Sequence, residues 1–339
     1  MSRLHLVVPL LLLTAATVAP TADGPSALLL ALNKGDHTLA IVDATTLQVL
    51  GRAASGPDPH EVVGSADGTL AYITNYTAGN GFANSLSVVD LTTRKALAPI
   101  DLGSMSRPHG LALAGGRIYF TAEGSRSIGR YDPSTRKVDW TLSTGQDGTH
   151  MVIASSDVRR LFTSNLGSAS VCIIEQRGAE APPPQNEAGG DWRVTVVPVG
   201  RGAEGFDLSP DGKELWVANA QDGTVSIVDA AAKQVTLTVN VPFRRANRLK
   251  FTPDGTRVLI SDLGAPELFV LDAASHAIVK RVDLGGGAAG IQVAPDGSRA
   301  FVSVGSRNSV AVVDLKTLAV TSRIETGPGP DGLAWVAGR

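Results

Sequence analysis

The sequence predicts an all-β fold, a seven-bladed β-propeller with four antiparallel strands in each blade. The first observation behind this prediction is a repeated unit of four short apolar runs separated by turns. The second is a lone apolar run near the C-terminus, which supplies the one strand that the first unit lacks. Both features are typical of a ring of blades that is closed by the two ends of its chain.

The repeat is clearest in the C-terminal half, where a Pro-Asp-Gly turn separates the first two strands of each unit, A and B. Copies of this turn begin at Pro210, Pro253 and Pro295, which are 43 and 42 residues apart. An alternating apolar run after each turn predicts strand B, and two further runs predict strands C and D. Strand C ends in an aspartate in six units, at Asp43, Asp90, Asp132, Asp229, Asp272 and Asp314.

The two ends of the repeat array determine the number of blades. The first unit begins with a B-like strand from Leu28 to Leu32, and no A strand precedes it. The chain finishes with an A-like strand from Gly332 to Val336. We therefore expect this last strand to complete the first blade, so that residues 27–339 form one propeller of seven blades without open sheet edges.

Residues 1–22 are predicted to be a signal peptide. Arg3 provides the positive charge, the apolar run from Leu6 to Val18 is too short for a comfortable membrane span, and small residues follow up to Ala22. We therefore expect a periplasmic or secreted protein with no membrane span after cleavage. Because Cys172 is the only cysteine, no internal disulfide is expected.

The composition excludes some partners. The 30 basic and 32 acidic residues give a net charge of −2, which argues against nucleic-acid binding. A proline-containing insertion at residues 177–191 is predicted to be an exposed loop between strands C and D of the fourth blade. We expect a monomer whose partner is a small molecule or another protein.

The motif Tyr72-Ile73-Thr74-Asn75, followed by Ser87-Val88-Val89-Asp90, resembles the YVTN-repeat propellers. Leu215 to Asn219 with Thr224 to Asp229 gives a second close match, and the resemblance extends over nearly all of the mature chain. It implies the propeller fold and a place among exported proteins that are similar to surface-layer propellers, cytochrome-d1-like heme propellers and propeller lactonases. Because those activities differ widely, the resemblance does not imply one function.

Strand direction predicts which face carries a site. The D–A and B–C loops share one face, and their side chains converge at the mouth of the central channel. One position at the entry to strand A recurs in every blade. In order from the second blade to the first, it holds His60, His109, His150, Glu204, Asn247, Ala289 and Asp331.

Three histidines at one repeat position suggest a metal site. His60, His109 and His150 are therefore candidate ligands of a divalent ion, because imidazole with a carboxylate binds zinc, copper or iron. Glu123 and Glu204 are the candidate catalytic carboxylates beside them. Hydrogen bonding of the histidines at the channel rim is the alternative, because duplication of one blade also repeats a histidine without any metal.

Further candidates for ligand binding lie on the same face. Arg107 and Arg248 are suited to an anionic group, and Asp331 belongs to the ring. The ends of the B strands add Asn75, Asn165, Asn219 and Asp262, and the alignment places Glu123 at the same position in the third blade. For the asparagines, capping of the B–C turn is the competing interpretation.

Two functions follow from these residues. The first is an exported propeller that binds a small ligand or a protein partner at the channel mouth. The second is a metal-assisted, lactonase-like hydrolase or lyase that uses the histidines and glutamates at the same mouth.

Overall fold

The computed structural model describes residues 27–177 and 191–338, and in that part of the chain the strands form seven four-stranded antiparallel sheets. The predicted seven-bladed propeller is confirmed. The predicted signal peptide lies outside the described residues, as does most of the predicted insertion at 177–191. The ends of that insertion are described, and the N–H of Arg177 donates to the carbonyl of Asp191 at 2.6 Å.

Each blade has the strand order A-B-C-D from the channel outwards. From blade 1 to blade 7, the A strands are Pro330–Ala337, Pro59–Gly64, Pro108–Ala114, Thr149–Ala154, Ala203–Leu208, Ala246–Phe251 and Ala288–Val293. In the same order of blades, the B strands are Ala27–Asn33, Leu70–Ala78, Arg117–Ala122, Arg160–Asn165, Glu214–Asn219, Arg257–Asp262 and Arg299–Val304. The C strands are Thr38–Asp43, Gly81–Asp90, Ser127–Asp132, Ser170–Gln176, Thr224–Asp229, Glu267–Asp272 and Ser309–Asp314. The D strands are Val49–Ala54, Lys95–Asp101, Lys137–Ser143, Trp192–Pro198, Gln234–Asn240, Ile278–Asp283 and Ala319–Ile324. Two short 3-10 turns follow B strands, at Glu123–Ser125 and Gly305–Arg307.

The C-terminal strand closes the ring as predicted. Pro330–Ala337 pairs antiparallel with Ala27–Asn33, with Trp335 opposite Leu29. The sheet of blade 1 therefore contains the first and the last strand of the described chain. This pairing connects the first blade to the last one.

The core lies between the blades rather than within them. Strands B and C are buried on both faces because each blade packs against its two neighbours, which explains their nearly continuous apolar runs. Strand D alternates between exposed and half-buried residues because it forms the outer edge. The large side chains of Phe162, Trp216 and Phe301 fill the space between blades and are fully buried.

The repeated aspartates organise the turns. Asp67, in the A–B turn of blade 2, accepts the Ser65 hydroxyl at 2.5 Å and the Thr69 N–H at 3.0 Å. Hydrogen bonds from Ser65 and Thr69 lower the pKa of Asp67 to about 2. The same hydrogen-bonding pattern lowers the pKa of the equivalent turn aspartates Asp157 and Asp254, and at Asp296 the backbone N–H and hydroxyl of Ser298 lower it.

We expect these turns to make the fold sensitive to acid. Their folded-state pKa values lie below the ordinary aspartate value of 3.8, so their contribution to stability is complete above that pH. It is lost as the pH falls from about 4 towards 2. Urea denaturation followed by tryptophan fluorescence should show a falling free energy of unfolding over this range. The variant Asp67→Asn should have a shallower acid dependence, whereas equal stability of the wild type at pH 5 and pH 2.5 would contradict the expectation.

Candidate functional site

The seven ring positions predicted from the repeat meet at one cavity. Each A strand has a register shift at its start: Pro59 lies opposite Asn75, but Val62 lies opposite Ile73, so three steps on one strand match two on the other. Such a bulge turns the local side chain away from the regular pleat. The second residue of every A strand lies in this bulge, and all seven line a cavity of about 560 Å³: His60, His109, His150, Glu204, Asn247, Ala289 and Asp331.

Hydroxyl groups of strand B hold the ring residues of neighbouring blades in register. The Thr121 hydroxyl accepts the Gly110 N–H at 2.7 Å within its own blade and donates to the His150 carbonyl of the next blade at 2.6 Å. Equivalent hydroxyls reach the next ring carbonyl from Thr74 (2.9 Å), Ser164 (2.8 Å), Ser261 (2.6 Å) and Ser303 (2.7 Å). Sequence reasoning missed these contacts, although the recurrent Ser or Thr near the end of strand B was their signal.

A second layer of the site comes from the residue that follows the strand B partner of the first residue of strand A. Alignment of the repeats by sequence placed Glu123 with the asparagines at the strand ends, and the strand pairing corrects this. Pro108 lies opposite Ala122 where Pro59 lies opposite Asn75, so Glu123 is one position further along. Its equivalents in blades 1 and 2 are Lys34 and Tyr76, which sequence reasoning missed and which line the cavity.

The three histidines lie in a row, and His109 in the middle contacts both His60 and His150. His60 Nδ1 lies 3.0 Å from His109 Nε2, and the His109 and His150 rings stack with centroids 3.8 Å apart. His150 Nδ1 lies 2.5 Å from Glu123 Oε1 and His150 Nε2 lies 3.0 Å from Glu204 Oε1. The repeat position predicted from the sequence thus becomes one continuous cluster across blades 2 to 5.

Three members of this cluster fit a metal ion. Ligand atoms of His109, Glu123 and His150 lie within 4.8 Å of one another, and all three residues are buried. His109 Nδ1 is buried without a hydrogen-bond partner among the described residues, which leaves one donor atom of the group unengaged. Two imidazoles and a carboxylate suit a divalent first-row ion such as zinc or copper. His60 lies beside this group, in contact with His109.

The cluster holds one neutral and one charged histidine. Burial, with the nearby His150 and His60, brings the pKa of His109 well below its ordinary value, so that this imidazole is neutral. Burial also opposes the charge on His150, but the carboxylates of Glu204 and Glu123 outweigh it and raise the pKa of His150 to about 9. Burial likewise opposes the charge on Glu123, whose hydrogen bond to His150 nevertheless lowers the pKa of its carboxyl group.

Arg248 lies across the channel floor. Its guanidinium pairs with Glu61 of blade 2 and lies 3.7 Å from Glu204 Oε1. Burial opposes this charge, but the carboxylates around it raise the pKa of Arg248. Since carboxylates of the protein already balance the guanidinium, the predicted contact with a ligand anion stays a prediction. Arg248 also lines a second cavity of about 500 Å³, which Glu61 lines as well.

Arg107 lies next to Glu123, one of the three candidate metal ligands. Its Nε is 3.4 Å from Glu123 Oε2, and its guanidinium lies 4.4 Å from the centroid of the Tyr76 ring. The Tyr76 hydroxyl donates to the same Glu123 oxygen at 2.7 Å. Arg107 therefore orients Glu123 in this arrangement, and its predicted contact with a ligand stays a prediction.

The remaining predicted ligand contacts divide into two groups. Asp331 lines the cavity, with Oδ2 3.6 Å from Lys34 Nζ. The four residues predicted at the ends of the B strands each make hydrogen bonds within their own blade, although Asn75 lies inside its strand, which extends to Ala78. Asn219 Oδ1 has no partner among the described residues, and the role of all four as ligand contacts stays a prediction. Their partners are Ser85 for Asn75, Ser170 for Asn165, Thr224 for Asn219, and the backbone N–H groups of Arg244 and Arg245 for Asp262.

Comparison with known proteins supports the fold and leaves the activity open. The chain is similar to two proteins described as putative 6-phosphogluconolactonases. One is from Bacteroides uniformis ATCC 8492 (15% identity, TM-score 0.73, covering 92% of this chain and 100% of that chain) and the other is from Bacteroides fragilis NCTC 9343 (17%, 0.70, 94% and 100%). It is also similar to the dihydro-heme d1 dehydrogenase NirN in complex with DHE (15%, 0.62, 94% and 77%).

No family model matches the chain, so the YVTN-repeat resemblance stays a prediction, and no curated protein matches it. At these identities the solved structures show the propeller fold alone. Within residues 27–177 and 191–338, no helix is long and apolar enough to cross a membrane.

Proposed function

We propose that the protein is an exported propeller that binds a divalent transition-metal ion at its channel mouth through His109, His150 and Glu123, with release of the proton that the charged His150 carries. The observation that carries this proposal is the buried group of three ligand-type residues, in which His109 Nδ1 has no partner among the described residues. A small ligand would then occupy the adjoining cavity of about 560 Å³. Export to the periplasm or the medium is part of the proposal and rests on the N-terminal sequence.

The second candidate function is a lactonase-like hydrolase or lyase at the same mouth. It is favoured by the cavity beside the three residues and by the similarity in fold to two putative 6-phosphogluconolactonases. A bound ion would supply Lewis-acid polarisation of a carbonyl group. Glu204, which lines the cavity, would accept a proton from a water molecule there. Glu123 does not line the cavity, so ligation or orientation suits it better than general-base chemistry.

Protein purified without chelators is expected to bind one equivalent of an added divalent ion, because the group offers one set of ligand atoms. Equilibrium dialysis against Zn²⁺, Co²⁺ and Cu²⁺ in turn, with elemental analysis of the protein, measures this directly. The double variant His109→Gln/His150→Gln should lose the ion, and it should retain the fold because its amide groups can still donate to Glu123 and Glu204.

The matched control is His37→Asn. His37 is an exposed histidine on the same face, and its left-handed backbone (φ 54°) suits asparagine. This control should bind the ion as the wild type does. Equal, negligible ion content in the wild type and the double variant for all three metals would overturn the proposal.

A panel of lactones incubated with the ion-loaded protein separates the two functions. Turnover that requires the ion supports the hydrolase or lyase. Ion binding without turnover supports the binding role. A partner protein that the histidine double variant still retains in a pull-down also supports it.

A further inference from the structure

His60 has two competing partners of opposite character. Its Nε2 lies 2.6 Å from the Lys34 ammonium and 3.2 Å from Asp58 Oδ1. Lys34 and Asp58 are themselves 3.3 Å apart, so both reach the same imidazole edge at once. An ammonium group can only donate a hydrogen bond and a carboxylate can only accept one. His60 Nε2 can either donate or accept, so it satisfies one of these partners at a time.

The choice of partner passes to His109 through the 3.0 Å contact between His60 Nδ1 and His109 Nε2. When His60 Nε2 accepts from Lys34, the His60 proton is on Nδ1 and is donated to His109 Nε2. Neutral His109 then carries its own proton on Nδ1. When His60 Nε2 donates to Asp58, His60 Nδ1 accepts from His109 Nε2, and the lone pair on His109 Nδ1 becomes free.

We propose that Lys34 and Asp58 compete for His60 and thereby decide whether His109 Nδ1 carries a proton or offers its lone pair to an ion. This inference rests on the proposed ion site. A carboxylate hydrogen-bonded to a ligating histidine orients that ligand, and here Asp58 would act on His109 through the intervening His60. In the exchange, His109 Nδ1 loses a proton to solvent, the proton between the two imidazoles moves to His109 Nε2, and His60 Nε2 gains a proton from solvent. Lys34 turns to Asp331, which lies 3.6 Å away.

The backbone supports a role for the side chain of Asp58. The residue before strand A has positive φ in five blades, where it is Asp58 (46°), Arg107 (57°), Gly148 (63°), Gly202 (72°) and Gly329 (64°). Glycine adopts this conformation without strain, so the fold does not require an aspartate there. The carboxylate is instead used by His60, by Lys34 and by the Thr77 hydroxyl at 2.8 Å. An unfavourable backbone conformation kept at a site of contacts indicates a positioning role.

The test uses two substitutions of Asp58 that both remove its charge. Asp58→Gly suits the backbone and removes the acceptor, and it should lower Zn²⁺ affinity about 10- to 100-fold, as loss of an outer partner of a metal ligand does. Asp58→Asn keeps an oxygen acceptor and tolerates positive φ, so its affinity should lie between those of Asp58→Gly and the wild type. Both variants should melt within about 3 °C of the wild type, because the changes are confined to a loop that already suits glycine. Equal losses in the two variants would mean that charge alone matters, and would overturn the proposal.

Substitution of Lys34 should act in the opposite direction. Lys34→Met removes the competing donor and should raise Zn²⁺ affinity, whereas Arg245→Met removes a nearby exposed cation without touching His60. A similar increase in both variants would reduce the effect to electrostatics and would contradict the competition.

Nitrogen-15 spectra of histidine-labelled, Zn²⁺-free protein provide a readout that does not depend on ion binding. Asp58→Gly should favour the Nδ1–H form of His109 and Lys34→Met the Nε2–H form. Absence of Zn²⁺ binding by the wild type would defeat the proposed function, while identical His109 tautomers in the three proteins would defeat this inference.

Discussion

Truncation after Gly329, which removes the last ten residues, is expected to abolish the cooperative folding of the propeller. The deletion takes away strand A of blade 1, which is the strand that joins the first blade to the last. Leu333 and Val336 on this strand are buried, and Trp335 packs against Phe301 of blade 7. Burial of three such side chains stabilises by roughly 5–8 kcal/mol, which is comparable to the whole stability of an ordinary domain.

A matched truncation after Ala337 removes only Gly338 and Arg339 and leaves strand A complete. It should unfold like the full-length protein in a thermal melt followed by circular dichroism. The longer truncation should show no sharp transition and should aggregate in size-exclusion chromatography, because it exposes the unpaired edge of strand B in blade 1. A full-length melting curve for the longer truncation would show that ring closure is not needed for stability.

Replacement of the channel-floor arginine, Arg248→Ala, is expected to destabilise the protein by about 3–5 kcal/mol. The side chains of Arg248 and Glu61 are 6% and 12% exposed, so water screens their charges little. Loss of the guanidinium leaves the carboxylates of Glu61 and Glu204 close together without their common cation. Urea denaturation at pH 7 measures the change in the free energy of unfolding.

The double variant Glu61→Gln/Arg248→Met is the control for this effect. It removes both charges of the cross-channel pair together, so it should cost less than Arg248→Ala alone. A cost below about 1 kcal/mol for the single variant would mean that water reaches the pair and screens it as it does at a surface.

The repeat itself was readable from the sequence because its determinants are local. Pro-Asp-Gly turns, a strand that ends in aspartate and continuous apolar runs recur in each unit, and each acts within a few residues of itself. The closing strand was also predictable, because its apolar run had no partner strand in its own unit and the first unit lacked one strand. The repeat also aligned His60, His109 and His150, because one position in a repeated unit becomes one position in a ring.

The side-chain contacts among those ring residues could not be predicted from the sequence, because they depend on how neighbouring blades are inclined and where their strands bulge. The bulge in strand A brings the ring residues to the cavity, and no pattern in the repeat marked it. Glu123 was assigned one position too early, because the pairing of its strand decides its place. The Arg248–Glu61 pair joins residues 187 positions apart, across the channel.

The sequence alone thus determined an all-β propeller of seven blades, its closure by the C-terminal strand and the face on which the histidines meet. Tertiary structure decided that His150 lies between two carboxylates, that His109 has a buried nitrogen with no partner among the described residues, and that Lys34 and Tyr76 belong to the site. The physical reason is the range of the interactions. Turns and strands form from neighbours along the chain, whereas hydrogen bonds among side chains of different blades need distances that only the assembled ring provides.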